Sequence, residues 1–124
     1  MSQSAIRYNG HTAYVKDEDL REFLKLLSFH LADVLRDQQN ESNWIATAIM
    51  GWMEDHEGLP PGLRDIELDE VLADAGKVDT FSCFLTGLLK PTIGDGPYDK
   101  VRAVLVVKRV LSELEPQQVN RSPP

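Results

Sequence analysis

Trp44-Ile45-Ala46-Thr47-Ala48-Ile49-Met50-Gly51-Trp52-Met53-Glu54-Asp55-His56-Glu57-Gly58 carries both tryptophans of the chain and a single apolar stripe at helical spacing. Trp44, Ile45, Ala48, Ile49, Trp52 and Met53 follow the i, i+3, i+4, i+7, i+8 rule, so a helix sets them on one face. That face has to be buried. An indole hides roughly 200 Å² at about 25 cal/mol per Å², so this pair is expected to anchor the core of a small domain. Ala48 and Gly51 beside the indoles predict the close approach of a neighbouring helix. Gly58 predicts a left-handed stop, and the Leu-Pro-Pro-Gly sequence at 59–62 a stiff turn.

Upstream, Asn9-Gly10 lies between two short β-prone runs, the signature of a two-residue hairpin with a type I′ turn, with strands near 5–8 and 11–15. Two strands are marginal alone, so the ribbon must lean on helices. His11 at the turn is expected to face solvent. Asp17 is placed to cap a helix to about Arg36, with Glu18 and Asp19 at the positive end of its dipole. Leu20, Phe23, Leu24, Leu27, Leu31, Val34 and Leu35 form its stripe, widened by Leu26 and Phe29. A polar connection at 37–41 and a cap at Ser42 or Asn43 lead back to the tryptophan helix.

Downstream, Asp65 is placed to cap a short helix over 66–75 that buries Leu68, Val71, Leu72 and Ala75 and closes at Gly76. A further helix over 80–90, capped by Asp79 or Thr80, buries Phe81, Phe84, Leu85, Leu88 and Leu89 and stops at Pro91. After a loop at 92–96, Pro97 fits the first position of a last helix to about 115, with Val101, Val104, Leu105, Lys108, Leu111 and Leu114 as its stripe. The β-branched residues there also suit a strand, but the length favours a helix. The polar, proline-bearing 116–124 reads as a flexible tail. The expected fold is therefore mainly α: a compact bundle of about five helices with a short N-terminal β-hairpin, as one domain over 1–115.

The 124 residues and 42% hydrophobic content suit one ordinary globular core. The N-terminus lacks the basic region and long apolar core of a signal peptide, and no apolar run approaches the roughly 20 residues needed to span a bilayer, so a cytoplasmic protein is expected. The single Cys83 excludes an internal disulfide and, inside an apolar run, is expected to be a buried thiol. A net charge of −7 argues against nucleic acid and anionic membranes as direct partners.

The charge is not spread evenly. Residues 1–53 carry 7 acids and 5 bases, 54–79 carry 9 and 2, and 80–124 carry 4 and 6. The whole excess thus falls on the middle segment, in Glu54, Asp55, Glu57, Asp65, Glu67, Asp69, Glu70, Asp74 and Asp79. If the proline turn folds the short helix beside the tryptophan helix, most of them share one surface, and a solvated face competes with a docking face for a basic partner.

No motif for chemistry accompanies this. His11, His30 and His56 are dispersed, and the run 54–57 lacks the spacing that places metal ligands on one face. His30 and Asp33, three apart, suit a structural pair. The Gly94-Asp95-Gly96-Pro97 run has the wrong sign for an anion site and fails the calcium-loop pattern. Ser82 and Cys83 lack nucleophile surroundings. No enzyme, metal or cofactor is therefore expected. The expectation is a non-catalytic acidic binding protein, an immunity protein or antitoxin-type inhibitor of a basic toxin or nuclease. Its partner-binding residues would be Glu54, Asp55, Glu57, Asp65, Glu67, Asp69, Glu70 and Asp74, with Trp44, Trp52, Tyr98 or Tyr14 as aromatic anchors. The alternative is a structural or adaptor protein that homodimerises through the valine-rich last helix or an edge of the hairpin.

Overall fold

The computed structural model describes residues 3–35, 43–60, 62–90 and 96–120, leaving aside the side chains of 32–35, 43 and 115–120. Outside the described positions fall the expectations for Asp33, Val34 and Leu35 as side chains, the connection at 37–41, the Ser42 or Asn43 cap, Pro61, Pro91 and the loop at 92–95.

Over the described residues the fold is mainly α, with five helices and a small N-terminal sheet. In order these are β1 (Gln3–Tyr8), β2 (His11–Lys16), α1 (Asp17–Leu35), α2 (Asn43–Gly58), β3 (Ile66–Glu67), α3 (Leu68–Val71), α4 (Ala75–Gly87) and α5 (Lys100–Asn120). The hairpin forms as expected: β1 and β2 pair antiparallel from Gln3 with Lys16 to Tyr8 with His11. Asn9 and Gly10 take φ of 51° and 81°, the two positive values a type I′ turn requires.

Helix α1 is the hub of the core. Its Leu20, Leu26 and Leu27 are fully buried with Phe23 and Leu24 beside them, and the helix touches α2, α4, α5 and β2. The tryptophan helix is one wall rather than the centre. Ile45, Ile49 and Trp52 are buried, Trp52 edge-on to Phe81 at 6.0 Å, while Trp44 is half-buried under the Lys77 ammonium. Among the described residues no neighbour lies within 4 Å of a Cβ built at Gly51, so none of them makes the close approach expected there. Helix α2 also does not end in a left-handed glycine. It runs through Gly58, the Leu59 N–H still reaches the Asp55 carbonyl, and Pro60 disfavours helical backbone at the residue before it. The left-handed glycine is Gly62, at φ 88°, in a turn closed by the Leu63 N–H on the Pro60 carbonyl.

The segment after that turn departs most from expectation. Instead of a helix over 66–75, Ile66–Glu67 pairs in parallel with Ile6 and Arg7, giving the strand order β2-β1-β3, and α3 is a single turn. Asp65 caps nothing. Its carboxylate accepts from the Ala5 N–H and Arg7, which draws the segment onto the free edge of β1. Helix α4 then begins earlier than 80, because Asp74 accepts from the Lys77 N–H as its N-cap, and Gly76 opens this helix rather than closing the last. It ends at Gly87, with Phe81, Phe84 and Leu85 buried in it and Leu88 just beyond. Cys83 lies on the opposite side of the helix and is exposed, contrary to the buried thiol expected.

Helix, not strand, is the state of α5, which extends to Asn120, past the point where composition predicts its end. Asp99 rather than Pro97 starts it: the Asp99 carboxylate accepts from Arg102 N–H and its carbonyl from Ala103 N–H. The buried stripe is Ala103, Val106, Val107, Val110 and Leu114, so the expected stripe is turned on the helix and Val101 and Leu105 face out.

Candidate functional site: the acidic segment

The structure divides the acidic segment between internal duty and open surface. Asp65 binds the Ala5 amide and Arg7, each at 2.8 Å, and Glu67 takes the same guanidinium at 2.7 Å. Burial opposes ionisation of Asp65, but the Ala5 amide and Arg7 outweigh it and hold the carboxyl below its ordinary range. The Arg7 guanidinium is correspondingly raised, first by its hydrogen bond to Asp65 and then by Glu67. Asp69 accepts from the Asn9 N–H at 3.0 Å, tying α3 to the hairpin turn, and Asp74 caps α4. Four of the eight candidate carboxylates therefore hold β3, α3 and α4 in place.

The other four are exposed: Glu54, Asp55, Glu57 and Glu70. They do not form one patch. Glu70 borders a hollow with Trp44, Thr47, Ala48 and Lys77, beside the start of α2. Glu54, Asp55 and Glu57 sit at its other end, roughly 10–15 Å further along the axis at 1.5 Å per residue. None of these three has an ion pair among the described residues. They occupy the helix end that carries partial negative charge, where carboxylates are disfavoured. Met50, one turn before Glu54, and Leu59 and Leu63, in the turn that follows the helix, are exposed at 61%, 39% and 62%. Glu57 also lines a hollow of about 110 Å³ with Arg21, Lys25, Met53 and His56. Both cations there already pair with Glu22, whose carboxyl burial would raise but the Asp99 amide, Arg21 and Lys25 together lower.

Beneath this end lies a buried polar strut that sequence reasoning missed. Asp17, expected as a helix cap, instead accepts from Ser4 Oγ at 2.5 Å and from the Gly62 N–H at 2.8 Å, with Arg64 at 4.0 Å. Ser4 Oγ in turn accepts from the Arg64 N–H. His56 donates from Nε2 to the Asp17 carbonyl at 3.2 Å, since a carbonyl only accepts. Serine, aspartate and histidine thus meet, but not as a catalytic relay: the imidazole faces the backbone rather than the serine, and Ser4 and Asp17 are 1% and 7% exposed. His30 has a different partner, the Tyr98 hydroxyl at 2.6 Å, with Phe29 edge-on to both rings. A Cβ at Gly96 would collide with the Tyr98 ring and stand 3.0 Å from Phe29, so only glycine fits there. No local signal in the sequence announces either contact, because each joins residues far apart in the chain.

Among the described residues, no three histidine, cysteine or acidic side chains are grouped to hold a metal ion. Nor is any helix long and apolar enough to cross a membrane. No family model, curated protein or solved structure matches this chain.

Proposed function

We infer that the protein is a non-catalytic binding protein that docks a basic protein partner through the acidic end of α2, in the manner of an immunity protein or antitoxin-type inhibitor of a basic toxin or nuclease. The observation carrying this reading is the placement of Glu54, Asp55 and Glu57: three exposed acids at the helix end whose dipole opposes them, with no ion pair among the described residues. Such a cluster costs the free protein stability and returns it when a cationic surface covers it. Met50 on the same helix and Leu59 and Leu63 in the turn after it supply exposed apolar area, which with acidic groups is the combination from which binding hot spots and their polar rims are built. Asp65, Glu67, Asp69 and Asp74 contribute by holding the scaffold, so changing them weakens the fold before it weakens binding.

The test is a parallel pull-down at about 50 mM salt with the native chain and with the combined E54Q, D55N and E57Q variant. The reading requires a basic protein that is retained by the native chain, released as salt rises to about 500 mM, and lost from the triple variant while that variant stays folded by circular dichroism. Retention by both chains, or retention indifferent to salt, refutes it.

A further inference from the structure

Turning α5 about its axis leaves a face that the sequence placed in the core. Val101 is 74% exposed and Leu105 60%, and Tyr14 on the neighbouring strand is 66% exposed. Tyr14, Val15 and Lys16 of β2 and Leu105, Val106 and Arg109 of α5 line an open groove of about 310 Å³. Successive strand residues point to opposite faces, so a hollow touched by 14, 15 and 16 runs along the strand rather than over one face, and Gln3, the β1 partner of Lys16, and Asp19 of α1 close it where the hairpin ends.

The edge of β2 away from β1 is open. β2 is an outer strand of the sheet. Beside a two-residue turn, Tyr8 and His11 form the hydrogen-bonded pair. The alternation from there turns the backbone groups of His11, Ala13 and Val15 toward β1 and those of Thr12, Tyr14 and Lys16 away from it. Among the described residues nothing hydrogen-bonds the outward groups of Thr12 and Tyr14.

The groove is also cationic on a chain whose net charge is −7. Lys16 has no ion pair among the described residues, and Arg109 reaches only Glu113, at 3.8 Å. Asp19, the acid at the groove's border, is already held by Arg102 at 2.8 Å, and Arg102 also takes Glu18 at 3.3 Å.

We propose that this groove binds an extended acidic segment of a partner protein as an added strand on β2. The guest's main chain pairs with Thr12 and Tyr14; the face it shares with Tyr14 and Lys16 carries its carboxylates, toward Lys16, and its other face carries apolar side chains toward Leu105, with Arg109 beside them adding to the positive field. Main-chain pairing at a sheet edge supplies affinity, and contacts to alternate side chains supply selectivity. The site shares no residue with the acidic end of α2, so either can fail without the other.

The experiment titrates the full chain with an end-capped peptide of about six residues alternating valine with glutamate, followed by backbone amide chemical shifts. A second peptide carries lysine for glutamate, and a third keeps the glutamates but is N-methylated on alternate amides. The acidic peptide is expected to shift Thr12, Tyr14, Lys16, Leu105 and Arg109 saturably, the lysine peptide to bind at least about tenfold more weakly, and the methylated peptide to lose binding. The K16E and R109E double variant, altered only at exposed side chains, reverses the charge preference. Equal binding of both charges, shifts centred elsewhere, or no shifts at millimolar peptide overturns the proposal. So does self-association that perturbs the same amides without any peptide, which assigns the face to a second copy.

Discussion

Glu54 and Asp55 stand at the end of α2 where the backbone already presents unsatisfied carbonyls, the equivalent of about half a negative charge. An exposed carboxylate at that position costs about 0.3 kcal/mol, and the like-charged Glu54 and Glu57, three apart, add about another 0.3 kcal/mol. Replacing the first two acids by their amides leaves size and helix propensity almost unchanged while removing about 1 kcal/mol of repulsion. For a domain of this size that corresponds to a rise of about 3–6 °C in Tm. The assay is thermal unfolding of native and E54Q/D55N protein at about 20 mM and about 1 M salt, where the Debye length falls to about 3 Å and most of the gain should vanish. A variant that melts below the native chain, or a gain that survives high salt intact, refutes the claim that these acids oppose the fold. The ground for a covering partner then goes with it.

Four other outcomes follow from the same geometry. Asp17→Ala strands the buried Ser4 hydroxyl and the Gly62 amide and should cost about 2–4 kcal/mol in chemical denaturation, whereas Ser28→Ala at an exposed position should stay within about 0.5 kcal/mol. Asp65 and Glu22 both have folded carboxyl pKa values below their unfolded ones. Their stabilisation is complete above the unfolded value near 4 and lost as pH falls through the folded one, so Asp65→Asn and Glu22→Gln should flatten the acid limb of stability against pH. Leu114→Ala should destabilise by about 2–5 kcal/mol and Leu105→Ala by less than about 0.5 kcal/mol; equal losses in urea unfolding would contradict the orientation of α5. Cys83 should react stoichiometrically with a thiol reagent in the folded protein, and protection until denaturant is added would contradict its exposure.

The amino-acid sequence by itself determined the elements whose causes are local. Asn9-Gly10 can take two positive φ values, so the hairpin was legible; the leucine and phenylalanine periodicity of α1 and the stripe of α2 named helices and most of their buried faces. It also located the acidic segment. Tertiary structure alone decided what the acids do, because a carboxylate beside a helix start is equally a cap, a salt-bridge partner or a solvated group until another part of the chain arrives. Asp17 and Asp65 read as caps and became struts to Ser4, Gly62, Ala5 and Arg7, and the arrival of β1 turned residues 66–67 from helix into strand. The face of α5 was undecided for a related reason. Its valines and leucines run almost all the way round the helix, so periodicity permits several stripes, and packing against α1 and α4 selects the one through Ala103, Val107 and Val110.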